Sequence, residues 1–233
     1  MLFNNEDVQF TEFSRPDGKK EQAYLIEGDI LISEAQLETM HICGNPDVTT
    51  RQYRTCSLVN SPKTIRVVGW TGGGGYDLTS RARTALRWVV NNYNALSTGL
   101  NITLTFTSST NADIIVYRQP NNSGAGGVAG FPSGGNPYKW VRLFSGLDGY
   151  NTNTIEHVIT HDIGHCVGLR PTDWFSRESC GGYSPETPVN PCAIWIPGTP
   201  VGFDANSVML ACFGSNEDGE FGPFDKVALE YIY

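Results

Sequence analysis

His161 and His165 stand four residues apart in the stretch TIEHVITHDIGHCVGLRPTD, residues 154–173. On a helix that spacing puts both imidazoles on one face, one turn apart. Two imidazoles so placed can present two nitrogen ligands to zinc. A polar residue, Asp162, follows the first histidine. His157 lies a further turn back, about 6 Å along the axis. It is expected to pack or hydrogen-bond rather than share the ion. The alternative for His161 and His165 is a metal-free core pair.

The stretch also carries its own boundaries. Asn153 with Glu156 reads as a capping box that starts the helix. Gly168 suits the left-handed residue that ends one, and Pro171 cannot continue it. The helix should stop just past His165, and the chain should then turn back across the histidines.

The stretch resembles the zinc helix of the metzincin metalloproteases, written H-E-x-x-H-x-x-G-x-x-H. It is similar above all to the dual-action HEIGH metallopeptidases, in which the helix reads HEIGH and a His-Thr-Asp follows the glycine. His161, Ile163, Gly164, His165, Gly168, Thr172 and Asp173 match that pattern. Asp162 stands where the glutamate belongs, and Pro171 where the third histidine ligand belongs. Downstream, Ser207-Val208-Met209 resembles the Met-turn, with Met209 as the apolar floor beneath the metal.

The resemblance implies an α/β (α+β) fold: a twisted mixed sheet with an active-site helix, a Met-turn and a C-terminal helix. It implies zinc as cofactor, weakly held or absent if the third imidazole is not replaced. Asp173 and Cys43 are the candidates to complete the ligand set. The implied function is a secreted zinc endopeptidase acting on a peptide or protein substrate, with Asp162 as the catalytic carboxylate. The two replacements would leave it latent or impaired. An inactive pseudoprotease that binds peptides in the cleft is the alternative, and a structural exported protein with a vestigial site is a third reading.

HICGNPDV, residues 41–48, resembles the cysteine switch of matrixin prosegments, in which a Cys-Gly-x-Pro-Asp run lays its thiolate on the zinc. That implies a prosegment-like region over residues 1–60 and a catalytic domain over 61–233. The competing reading pairs Cys43 with Cys56, leaving Cys166, Cys180, Cys192 and Cys212 as two further disulfides. Cys180 and Cys192 would then staple the proline-rich stretch 174–206.

Composition bounds the partners. With 233 residues the chain is long enough for one well-buried domain, or for a domain plus a prosegment. A net charge of −8 argues against nucleic acid and anionic lipid. The chain has no apolar run of about 18 residues, the length a membrane span needs. Six cysteines suit an oxidising compartment, so the expectation is an extracellular or periplasmic monomer whose signal has been removed.

The remaining elements follow from period and punctuation. Residues 1–22 lack a period and read as a loose start; 23–32 read as one strand, and Ser33 with Gln36 caps a short helix through Met40. KTIRVVGW (63–70) is a strand. Asp77 is the expected N-cap of a helix whose face runs Leu78, Ala82, Leu86, Val89, Tyr93 and Leu96. The glycines between them lack the dinucleotide fingerprint. Strands are expected at 102–107, 112–118 and 139–144, with an exposed loop over 119–137 and residues 127–132 near a substrate-binding edge. The acidic run 216–222 reads as a solvated loop rather than a calcium site, and 225–233 as a terminal helix.

Overall fold

The computed structural model describes residues 8–39, 52–181, 193–199 and 203–233. Its main sheet is mixed. β5 (Lys63–Trp70), β6 (Leu100–Thr107), β7 (Ile114–Gln119) and β9 (Trp140–Phe144) run parallel, in the order β9-β7-β5-β6. β8 (Gly127–Gly130) is antiparallel to β9. β1 (Val8–Ser14), β2 (Lys20–Ile26) and β3 (Ile30–Ile32) continue the sheet beyond β8 as an antiparallel meander. α1 (Glu34–Thr39) follows them, with Ser33 and Gln36 exchanging the expected capping bonds.

The parallel half is a two-faced core. Alternation sends Ile65, Val67, Ile114 and Val116 to one face, where they pack on α2 (Ser80–Asn94) and α3 (Thr152–Val167). Val68, Trp70, Ile115 and Tyr117 go to the other face. This accounts for the continuous apolar run of β7, which is buried on both sides. α2 buries the predicted stripe, but its N-cap is Thr79; Asp77 instead accepts from the Gly73 amide and closes the glycine turn.

A small second sheet joins β10 (Leu169–Arg170), β4 (Tyr53–Arg54) and β11 (Ile194–Trp195). The last helix, α4 (Pro223–Ile232), packs Ala228 and Leu229 into the main core, as expected.

Several expectations are corrected. Residues 8–14 and 20–26 are a strand pair, turned by Arg15-Pro-Asp-Gly-Lys. The expected single strand over 23–32 breaks at Glu27 (φ 55°) and Gly28 (φ 83°). The supposed loop 119–137 contains β8, which is fully buried because β3 and β9 flank it. Cys180 pairs with Cys212 rather than Cys192, and Cys166 is a free, buried thiol. Cys56 is also disulfide-bonded. Cys43, Met40 and Cys192 lie outside the described residues.

Candidate active site

α3 presents the two histidines. Its N-cap is Asn151, whose side chain accepts from the Thr154 amide, so the helix begins earlier than the Asn153–Glu156 box implied. Its C-cap is Gly168 at φ 106°, as the sequence required, and its amide bonds the His165 carbonyl. Everything from Thr154 to Val167 is buried.

Each imidazole is oriented by a backbone carbonyl. His161 Nδ1 lies 3.0 Å from the Val208 oxygen, and His165 Nδ1 lies 2.9 Å from the Leu169 oxygen. A carbonyl only accepts, so both Nδ1 atoms carry the proton and both Nε2 atoms are turned to the site. The Nε2 atoms converge on a single carboxylate oxygen, Asp29 Oδ2, at 2.8 Å from His161 and 3.2 Å from His165. Asp29 closes the Glu27–Asp29 turn immediately before β3, where the sequence pattern predicts one unbroken strand over 23–32.

Among the described residues Asp29, His161 and His165 form a group able to hold a metal ion. Four-coordinate zinc with ligand bonds of about 2.0 Å needs donor atoms about 3.3 Å apart, and the two distances to Asp29 are already close to that. The electrostatics fit a cation too. Burial opposes charge on His161, but Asp29 overrides it and raises that imidazole to about 9. Burial, and then the charge on His161, lowers His165. Asp29 Oδ1 is buried with no hydrogen-bond partner among the described residues. Burial alone would raise the Asp29 carboxyl, yet the two imidazoles against it, His161 above all, hold it below the usual carboxylate range. A divalent cation bound by the two nitrogens and this carboxylate would satisfy all three.

Asp162 lies in the same cavity wall, fully buried, with Oδ2 unpartnered among the described residues. Burial, reinforced by the charge of Asp29, pushes its carboxyl well up. It has room only because Gly127 lacks a side chain: a Cβ there would come within 2.0 Å of Oδ2. Met209 is completely buried, with its sulfur against Gly164 of α3. Its turn is pinned by Asp225 of α4, which accepts from Ser207 Oγ and from the Val208 amide.

Asp173, expected as an oxygen ligand, is occupied elsewhere. Oδ2 accepts from the Ser179 amide and hydroxyl, and Oδ1 accepts from the Ala211 amide. It ties the turn after α3 to the segment that follows the Met-turn. Pro171 is buried and opens that turn, its carbonyl accepting from the Trp174 amide. Arg170, just before it, is buried and pairs with Glu27 of the turn that delivers Asp29. His157 packs as expected: Nδ1 is 2.8 Å from the Asp218 carbonyl, and burial lowers its ring to about 4.

Comparison with solved structures finds two of myroilysin. One is 14% identical, with a TM-score of 0.46, over 76% of this chain and 82% of that one. The other has the same identity and score over 88% and 98%. No curated protein matches the sequence. The description of the dual-action HEIGH metallopeptidases matches residues 24–233, a span that holds the histidine pair, the Met-turn and Asp29 alike, and the chain belongs to that family.

Proposed function

We propose that the chain is a secreted zinc endopeptidase kept latent by its own N-terminal strands. The observation that carries this reading is the Asp29 carboxylate, which sits on both histidine Nε2 atoms from a segment 132 residues away. The strand that delivers it supports the same reading. β3 pairs with β8 through Ile30–Ala129 and Leu31–Gly130, the edge along which an extended substrate would add by backbone hydrogen bonds. The inhibitory region falls within residues 1–60, and the catalytic domain within 61–233. The disulfide between Cys180 and Cys212 favours an oxidising, extracellular or periplasmic setting.

Zinc held by His161 and His165 would supply a Lewis acid and a water acidified toward neutral pH. The remaining work falls to the chain. The Val208 and Leu169 carbonyls fix the ring tautomers so that the lone pairs face the ion. Asp162, one methylene shorter than glutamate, lines the cavity; its raised carboxyl would have to ionise beside a bound cation before it could take a proton from water and return it to the leaving amine. Asp29 must leave for that water to enter. Pro171 favours a second reading, an inactive scaffold that binds peptides, because its side chain offers no donor to replace Asp29 once it has moved. Casein hydrolysis at saturating zinc separates the two. An active Asp29→Ala variant beside a silent parent chain is the expected result; silence in both supports the scaffold.

A further inference from the structure

Asp225, in the first turn of α4, is fully buried, and four donors surround its carboxylate. Oδ1 accepts from Ser207 Oγ at 2.6 Å and from Gln52 Nε2 at 2.7 Å. Oδ2 accepts from the Val208 amide at 2.9 Å and from the Gly222 amide at 3.0 Å. Burial raises this carboxyl, but a proton on it would face only donors, so the site holds the anion. None of the four donors is a cation.

Ser207 settles the direction of one of these bonds. Its hydroxyl accepts from the Met209 amide at 3.0 Å and from Gln52 Nε2 at 3.2 Å. Both lone pairs are then taken, and its one proton goes to Asp225. The Met209 amide shares a planar, conjugated peptide unit with the Val208 carbonyl. That carbonyl takes the Nδ1 proton of His161 at 3.0 Å. Every donor in the series points the same way: from the imidazole to the Val208–Met209 peptide, then to Ser207 and to the carboxylate. Hydrogen bonds arranged head to tail polarise one another. The two histidines therefore differ. His165 rests on the Leu169 carbonyl of strand β10, whereas His161 rests on a carbonyl backed by a buried anion.

Resting on the reading of His161 as a zinc ligand, we propose that Ser207 and Asp225 are positioning residues for it. Through the backbone of the turn they pass negative charge to the His161 ring and make its Nε2 the stronger donor of the pair. Outer-sphere partners of this kind set both the orientation and the basicity of a ligating imidazole.

The ring ¹H and ¹⁵N resonances of the two histidines, in the metal-free full chain, test the relay without turnover. In Ser207→Ala the His161 Nδ1 proton should move upfield, toward a weaker hydrogen bond, while that of His165 stays. Zinc affinity, measured by competition with a chelator, should fall about tenfold, the lower end for a lost outer-sphere partner. Ser207→Thr keeps the hydroxyl and should hold both readouts near those of the parent. A serine that only stabilised the turn would lower the unfolding midpoint of Ser207→Ala and leave the His161 proton where it was. That result, equal movement of both histidine protons, or unchanged zinc affinity would each overturn the proposal. If Ser207→Ala does not fold, the unaltered chain decides. Its Ser207 hydroxyl proton, locked on Asp225, should exchange with water slowly enough to be observed, and fast exchange overturns the relay. A His161 proton that moves as expected in a chain that takes up no zinc would sink the zinc reading and leave the relay standing.

Discussion

Strands β5, β6, β7 and β9 and strands β1–β3 belong to one sheet but are held in it by different means. The parallel strands lie over α2 and α3, with one continuous apolar cluster beneath them. The N-terminal strands have two small clusters, one around Phe13, Ala23, Leu31 and Val128 and one around Ile26, Ile30, Ile32 and Phe131. Beside the β3–β8 backbone ladder, three charged contacts attach them. Glu21 pairs with buried Arg142, Glu27 with buried Arg170, and Asp29 with the two histidines. Three acids of one short segment thus neutralise three basic sites of the body. A region attached through paired charges can be released by removing charge, whereas a region attached through a packed core cannot. This makes the N-terminal strands suited to a removable cover.

The contrast predicts unequal responses to mutation. Leu86→Ala empties a fully buried position of α2 and should cost about 4 kcal/mol, seen as a lower denaturation midpoint for the whole chain. Glu21→Gln leaves the Arg142 guanidinium, which has no solvent exposure, without its carboxylate. Because Glu21 itself is partly exposed, about 2–3 kcal/mol is expected, at or below the lower end for a broken buried pair. Hydrogen exchange should quicken in β1–β3 well before it does in β5 or β7. Uniform quickening would erase the distinction between the two regions.

Gly127→Ala acts where the regions meet. The added methyl would collide with Asp162 and approach the Arg142 carbonyl at 3.0 Å. About 1–2 kcal/mol of stability should be lost, and more catalytic activity than that loss explains should go with it. The smallest effect belongs to the body alone. Burial, and then the charge of Glu220, raises Glu156 from 4.5 to about 7. The folded state therefore favours the protonated form, and this contribution is full at low pH and lost as pH rises through about 7. Urea midpoints should fall between about pH 5 and pH 8 in the parent, and Glu156→Gln should remove that part of the slope.

The same contrast explains what could be read in the sequence. Period and length betrayed α2, α3 and the strands of the parallel half, because burial there writes a repeating apolar pattern. β1 buries only Phe13 among seven residues, so its alternation is nearly silent. β8 is written Gly-Val-Ala-Gly because Asp162 crowds one glycine, and Tyr138 and the Leu31 carbonyl crowd the other. That composition reads as loop. The histidine pair was legible as local spacing, and the Met-turn only through the family resemblance. Asp29 was not, since nothing local distinguishes a turn aspartate that folds onto histidines 132 residues away. The Glu-Gly-Asp break in the apolar run 23–32 was the one available signal, and it marks a turn rather than a ligand. Asp173 misled for the converse reason: a family match fixed its place in the motif, while its hydrogen bonds tie it to Ser179 and Ala211.

The account depends most on Asp29 acting as the third member of the metal group. Zinc affinity measured against a chromophoric chelator, for the full chain and for Asp29→Ala, tests this directly. The parent chain should take up one zinc, and the variant should bind it more weakly by over the ~10–100-fold that loss of an outer-sphere partner costs. Equal affinity in the two proteins would contradict the account and return Asp29 to the status of a bystander in the turn.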